Sequence, residues 1–215
     1  MSVSKKLWEN DEKNIINYLL ESAHKVPKIE AYLKEELSYL KNNIASNSSV
    51  IDFGCGNGRH LKILEPQISK GLGIDMNRSY LEEASTSCLS DKIRFEVGDI
   101  ENYQSTELFD VAISMYNTFG NVENQKGMIE SMLKSIKQGG KVIISVFSPK
   151  SISARLEFYK VMGFENLDIE EYKITTQEGF HSLCFSKTAL YELMPNAIIE
   201  KCTDIGWVVV LEKNK

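Results

Sequence analysis

Apolar residues before about residue 45 recur at helical spacing. Ile15, Ile16, Tyr18, Leu19 and Leu20 cluster in one segment. After Pro27, the residues Ile29, Tyr32, Leu33, Leu37 and Leu40 fall at three- and four-residue steps, which marks one apolar helix face. The polar run over residues 42–49 then reads as a loop between a helical N-terminal layer and a sheet. From residue 50 the pattern becomes strand, helix, strand, helix. Residues 50–53 predict a first strand and 59–65 a short helix stopped by Pro66. Residues 72–75 predict a second strand ending in Asp75, and Ser79 is expected to cap the next helix, with Glu82 three residues on as in a capping box. Ile93, Phe95 and Val97 alternate as a third strand, and 109–115 is a fourth. Met128, Ile129, Met132, Leu133 and Ile136 mark a helix that Gly139-Gly140 is expected to end. Residues 141–147 are rich in Val and Ile, as a strand buried on both faces should be.

This alternation predicts an α/β fold with a doubly wound, mostly parallel sheet and right-handed crossovers. The pattern changes after Ser151. Residues 154–162 read as a helix closed by Gly163, and 169–174 and 180–185 as a hairpin around Gln177-Glu178-Gly179. A short helix over 187–193 precedes Pro195. Residues 198–203 and 207–212 then close the chain as two strands, antiparallel to each other.

Length and composition narrow the setting. The chain has 215 residues, with 42% hydrophobic and 26% charged, which fits one domain: a helical layer at 1–45, a central half at 48–150 and a hairpin with closing strands at 151–215. Net charge is −5 with no basic block beyond Lys5-Lys6, which argues against a nucleic-acid partner. Cys55, Cys88, Cys184 and Cys202 are dispersed, with neither a CxxC pair nor histidines at ligand spacing. Reduced thiols are expected, and no metal site. The first residues lack an apolar signal core, and no run approaches the ~18–20 apolar residues of a membrane span. A cytoplasmic protein, monomeric or homodimeric, is expected.

The candidate chemistry lies at 50–60. An apolar run meets Asp52 and breaks into Gly54, Gly56 and Gly58 before helical spacing resumes. A strand feeding a glycine loop and a helix presents backbone N–H groups and a positive helix end, which suits a nucleotide-like ligand. Arg59 stands where the G-x-G-x-x-G dinucleotide fingerprint has its third glycine, and the Gly-Lys-Ser/Thr ending of a P-loop is absent. With Asp52 before the loop, Asp75 after the second strand, Gly98-Asp99-Ile100 after the third, Phe109-Asp110-Val111 in the fourth and Gly139-Gly140 before the fifth, the chain resembles the class I S-adenosylmethionine-dependent methyltransferases. The resemblance spans about residues 48–150. It implies a Rossmann-like sheet of seven strands with an antiparallel C-terminal strand and N-terminal lid helices. It also implies S-adenosylmethionine held by Asp52, Gly54, Cys55, Gly56, Asp75, Met76, Asp99, Ile100 and Ser114. Within it, Asp52 would receive the ammonium, Asp75 the ribose hydroxyls and Asp99 the adenine amine. Met76 and Ile100 would sandwich the base.

Methyl transfer from a sulfonium needs alignment above all. A nitrogen or oxygen nucleophile of a small molecule is expected at the carboxyl ends of the fourth and fifth strands, near residues 114–121. That segment lacks the [Asp/Asn]-Pro-Pro-[Tyr/Phe] pattern of methyltransferases that act on nucleic-acid amines and glutamine side chains. It looks more like the Ser-Met-aromatic loop of small-molecule enzymes. No catalytic residue is demanded; Tyr116, Asn117 and His181 are candidates. His60 is read as a half-exposed residue of the helix after the loop. Trp8, Tyr18 and the helix through Tyr32 are expected to cover the cofactor, and Tyr103 and Tyr172 are further aromatic candidates for the pocket. Methylation of a protein or RNA, and a catalytically idle binding module, stay open as alternatives.

Overall fold

In a computed structural model describing residues 3–10 and 15–214, the chain opens with the helices Val3–Glu9 (α1), Ile15–Ala23 (α2) and Pro27–Asn43 (α3). Ser49–Phe53 (β1), Arg59–Leu64 (α4), Lys70–Asp75 (β2), Arg78–Ser87 (α5) and Ile93–Val97 (β3) follow in strict alternation. Then come Phe109–Ser114 (β4), Thr118–Asn121 (α6), Gln125–Lys134 (α7) and Ile136–Phe147 (β5). Ile152–Val161 (α8) leads to three short strands, Asp168–Glu170 (β6), Lys173–Thr175 (β7) and His181–Leu183 (β8). Lys187–Leu193 (α9), Ile198–Cys202 (β9) and Gly206–Glu212 (β10) complete it.

The main sheet has seven strands in the order β3-β2-β1-β4-β5-β10-β9. Strands β3 to β5 run parallel, and β10 lies antiparallel to both β5 and β9. The expected Rossmann-like α/β sheet is therefore the one formed. Period-two alternation divides its side chains between two cores. Val50, Ile113, Ile143 and Val208 face Tyr32, Leu40, Leu61 and Phe158, while Ile51, Phe53, Ala112 and Ile144 face Met128, Met132 and Leu190 on the other side. Strand order reverses between β1 and β4, which opens a crevice beyond their carboxyl ends. Helix α3 is drawn onto this sheet through Tyr32, whose ring lies 4.8 Å from that of Phe147 and seats over Gly206. A Cβ there would fall 2.2 Å from the ring.

Three local expectations are corrected. Asn77, not Ser79, caps α5: its Oδ1 accepts from the Tyr80 N–H at 3.2 Å, and the Ser79 hydroxyl donates to that same oxygen. Asparagine wins because it stands at the residue where the backbone is still extended. Helix α7 ends at Lys134, before Gly139-Gly140, and Ile136 is already paired with Phe109 in the sheet. The glycines instead carry β5 around a break in register between Phe109 and Val111, with Gly139 at φ +74°. The hairpin is a three-stranded antiparallel sheet, β6-β7-β8, because the chain turns at Glu171-Tyr172 inside the segment read as one strand.

The turn after β4 is fastened to this small sheet. At Gly120 in α6, a Cβ would lie 2.4 Å from Asn117 Nδ2 and 2.7 Å from the Leu183 carbonyl oxygen. Gly120→Ala is expected to lower the unfolding free energy by about 1–3 kcal/mol, the usual cost of overpacking. Urea denaturation measures it, and a loss under about 0.5 kcal/mol would show that the hairpin simply gives way.

Candidate active site

The glycine loop is built on β2 as much as on β1. The N–H groups of Gly54 and Cys55 both donate to the Ile74 carbonyl, at 2.8 and 3.0 Å, and Gly58 N–H donates to Cys55 at 2.9 Å. All three glycines have left-handed backbones, with φ of +77°, +52° and +76°. Close approach reinforces the requirement, since a Cβ on Gly54 would meet Thr118 Cγ2 at 2.4 Å and one on Gly56 would meet Ile16 Cδ1 at 1.9 Å. Asp75 locks the loop. One carboxylate oxygen accepts from Gly56 N–H at 2.9 Å and the other from Asn77 N–H at 3.0 Å. Burial pushes the Asp75 carboxyl up, and the amides of Asn77, Gly56 and Met76 hold it back.

Beside this loop lies a cavity that opens to solvent. Six of the sequence candidates line it: Gly54, Cys55, Asp75, Met76, Asp99 and Ile100. Asp52, Gly56 and Ser114 do not. Gly56 is covered by Ile16. Ser114 is wholly buried and its hydroxyl donates to the Phe53 carbonyl at 3.0 Å, so it ties β4 to β1 and has no face toward a ligand. Asp52 sits beneath the loop, 1% exposed, with Oδ2 lacking any hydrogen-bond partner. Burial raises its carboxyl to about 6; His60 opposes this, and Asp75 and Glu36 add to it. Asp99 meets a cation already, since Lys5 Nζ lies 2.6 Å from Asp99 and 3.3 Å from Glu101. Partial burial pushes the Asp99 carboxyl up. Hydrogen bonds from Lys5, Glu101 N–H and Asn102 outweigh this and leave it below the usual carboxylate value.

Helices α1 and α2 cover this cavity. Asn77 Nδ2 donates to the Trp8 carbonyl at 2.9 Å, and Asn17 bridges Glu83 and Asn57 at 2.9 and 2.7 Å. Trp8 lines the cavity, whereas Tyr18 is 44% exposed and Tyr32 is wholly in the core, so neither covers a ligand as expected. Tyr103 packs edge-on against Phe53 and Tyr172 is 41% exposed, which removes both from the pocket.

A second cavity adjoins the first and shares Trp8, Leu19, Tyr116 and Asn121 with it. Tyr116, Asn117 and His181 all line it. The Tyr116 hydroxyl is buried without a partner, and burial holds its pKa well above the ordinary tyrosine value. Burial lowers the His181 pKa, which keeps the imidazole neutral near pH 7. Asn117 is a fastening, not a reagent. Its amide donates to Ser182 Oγ and the Leu183 carbonyl, both at 3.0 Å, and its oxygen accepts from Phe147 N–H at 2.9 Å.

The residue that sequence reasoning missed is Glu36. It is fully buried on α3, and Oε2 accepts from Ser145 Oγ at 2.6 Å and Tyr116 N–H at 3.0 Å. Its Oε1 lies 3.4 Å from His60 Nε2 and 3.8 Å from Arg59 Nη1, and His60 Nδ1 lies 3.9 Å from Asp52. His60 is therefore buried between two acids, not half-exposed as expected. The signal was present: Glu36 occupies an apolar-face position between Leu33 and Leu40.

A model of the family described as "Methyltransferase domain" matches residues 44–197. The chain belongs to this methyltransferase family. Curated relatives include phosphoethanolamine N-methyltransferase 1 of Arabidopsis thaliana, 30% identical over 61% of this chain but 28% of the relative. Ubiquinone biosynthesis O-methyltransferase of Rickettsia felis is 30% identical over 68% of this chain and 63% of the relative. The chain thus spans from under a third to under two thirds of these curated relatives' lengths. An S-adenosylmethionine-dependent methyltransferase from Clostridium acetobutylicum superposes with a TM-score of 0.63 at 13% identity, over 86% of this chain and 92% of that one, a likeness of fold. The two-oxygen face of Asp75 beside a Cβ-free cradle fits a cofactor carrying a diol, and the carboxylate of Asp52, buried beneath the loop, can act on an ammonium only as a charge at a distance.

Asp52 makes stability depend on pH. Its folded pKa of about 6 exceeds the ordinary aspartate value of 3.8, so the native state keeps a proton that the unfolded chain releases between those values. Its contribution is complete below about pH 4 and is lost as pH rises through about 6. Without ligand, Asp52→Asn should match wild type near pH 4 and exceed it by up to about 3 kcal/mol above pH 6, by denaturant titration across pH. A constant difference over that range would contradict the assignment.

Proposed function

We propose that the chain transfers the methyl group of S-adenosylmethionine to a nitrogen or oxygen nucleophile of a small molecule. The observation that carries this reading is the adjacency of two cavities. One is built from the glycine loop and the acids Asp75 and Asp99. The other is lined by aromatic residues, and the two share Trp8, Leu19, Tyr116 and Asn121. When bound, the cofactor supplies an activated methyl on a sulfonium. The chain's own residues would bind and orient. Asp75 presents acceptors for a vicinal diol, Met76 and Ile100 offer apolar faces to a base, and Asp52 lies beneath the loop as a counter-charge for an ammonium. Helices α1 and α2 exclude water. Alignment of this kind supplies up to roughly 7–11 kcal/mol of the barrier.

The relatives named for phosphoethanolamine and ubiquinone biosynthesis support a small acceptor. The net charge of −5 counts against a nucleic-acid acceptor. Among the described residues, no helix is long and apolar enough to cross a membrane. The reading is completed by a single catalytic unit working in the cytoplasm, as a monomer or homodimer.

Calorimetry with S-adenosylmethionine, S-adenosylhomocysteine and NAD tests this. The first two should bind and NAD should not; tight NAD binding without the others would sink the reading. Asp75→Ala should weaken cofactor binding by about 1.5–3 kcal/mol, the scale of hydrogen bonds to a charged group. An unchanged affinity would remove Asp75 from the site.

A further inference from the structure

The second cavity has a definite chemistry. Its walls include Trp8, Tyr116, Phe147, Tyr159, Phe164 and Phe180. Several of these rings meet edge to face, with Trp8 and Phe180 at 5.0 Å, Tyr159 and Phe164 at 6.0 Å, and Phe164 and Phe180 at 6.5 Å. Among the described residues, no Asp, Glu, Lys or Arg lines it. An aromatic box of this kind suits either a flat aromatic guest or a cation.

Two observations decide between them. The first is Arg155 on α8, wholly buried directly behind the wall. Its guanidinium carbon lies 5.1 Å from the centre of the Phe147 ring, and Nη2 donates to the Ser182 carbonyl at 2.6 Å. Phe147 and Ser182 both line the cavity. Nε and Nη1 have no nitrogen or oxygen partner, the Cys184 thiol is the other side chain that the guanidinium meets, and among the described residues no ion pair involves Arg155. A buried, unpaired guanidinium one ring's thickness away repels a cationic guest and favours negative charge. The second observation is a set of buried polar atoms without partners on the cavity wall: Trp8 Nε1, Tyr116 Oη and Thr176 Oγ1. All three can donate, and the indole can do nothing else, so they call for a guest with oxygen lone pairs. An ammonium, which has donors only, could reach the two hydroxyl oxygens but leaves the Trp8 indole N–H unsatisfied.

We propose that the methyl acceptor is a phenol, a small aromatic ring methylated on its hydroxyl oxygen, with Arg155 as the buried charge that selects it. This rests on the methyltransferase reading above and narrows its acceptor. In the reaction the hydroxyl oxygen bonds to the methyl carbon and the carbon–sulfur bond breaks with its electron pair left on sulfur. The hydroxyl proton passes to the neutral imidazole of His181 on the same cavity wall. Lys173 faces that imidazole as a cation, and Glu123 and Glu101 as anions. Arg155 acts through the wall and is a positioning residue.

The test uses the full chain loaded with S-adenosylhomocysteine, its binding measured first by calorimetry. Catechol and 4-nitrocatechol are then titrated against benzylamine and phosphoethanolamine. Both phenols should bind and the other two should not. With S-adenosylmethionine, mass spectrometry should find the new methyl on a ring oxygen. The absorbance of 4-nitrocatechol reports its own ionisation. Bound, it should ionise about one pH unit below the free dye, a tenfold change, and Arg155→Met should abolish that difference. The wild-type spectrum alone decides the matter if the variant does not fold. Failure of both phenols to bind, ionisation unchanged or shifted upward, or methylation of benzylamine instead would overturn the proposal. Loss of S-adenosylhomocysteine binding would be a separate failure, of the cofactor reading. Phenol binding would then be scored on the unloaded chain by the same spectrum.

Discussion

The buried carboxylate of Glu36 holds together parts of the chain that are far apart in sequence. It takes hydrogen bonds from Ser145 on β5 and from the Tyr116 N–H just after β4, and it faces Arg59 and His60 at the start of α4. Breaking such a buried arrangement typically costs about 3–5 kcal/mol, because the remaining charges are left unpaired. The consequence is geometric as well as energetic. The helix that follows the glycine loop, the turn that carries Tyr116 and the N-terminal helix layer all meet at this side chain. Tyr116 has a left-handed backbone, φ +52°, which it holds while its N–H is fixed by Glu36 and Ser145.

From that fixed point the division of labour follows. Asp75 closes the glycine loop with one set of lone pairs and has others left for a ligand. Asn117 spends its amide on the three-stranded sheet and on β5, so the wall of the aromatic cavity moves with the sheet. The N-terminal helices complete both cavities at once: Trp8 and Leu19 belong to each. Lys5 sits against Asp99, the acid that the family resemblance assigns to the adenine end. The lid is thus held by the same carboxylates that line the cofactor cavity.

Much of this was legible in the sequence, and the remainder was not for identifiable reasons. Strand periodicity and the ordered acids and glycines from Asp52 to Gly140 specify the sheet, because a two-faced parallel strand leaves an unambiguous apolar run. The same landmarks bring six of nine ligand candidates to one cavity. Ser114 could not be sorted from them, since a hydroxyl at a strand end bonds a neighbouring carbonyl as readily as a ligand. Asn117 and Asn77 illustrate the same difficulty, a polar side chain whose partner lies beyond local spacing or one residue off. Glu36 and Arg155 are charges inside helices, and periodicity treats a charge as a solvated face. The position of Glu36 on the apolar face of α3 pointed to its burial, whereas only the packing of α8 on the sheet shows that Arg155 is buried.

The most direct test of the whole account is a crystal structure of the chain with S-adenosylhomocysteine. The account predicts ribose hydroxyls on Asp75, the base between Met76 and Ile100, and the sulfur at the boundary where Tyr116 and Asn121 join the two cavities. A ligand bound elsewhere, or one whose sulfur points away from the aromatic cavity, would contradict it.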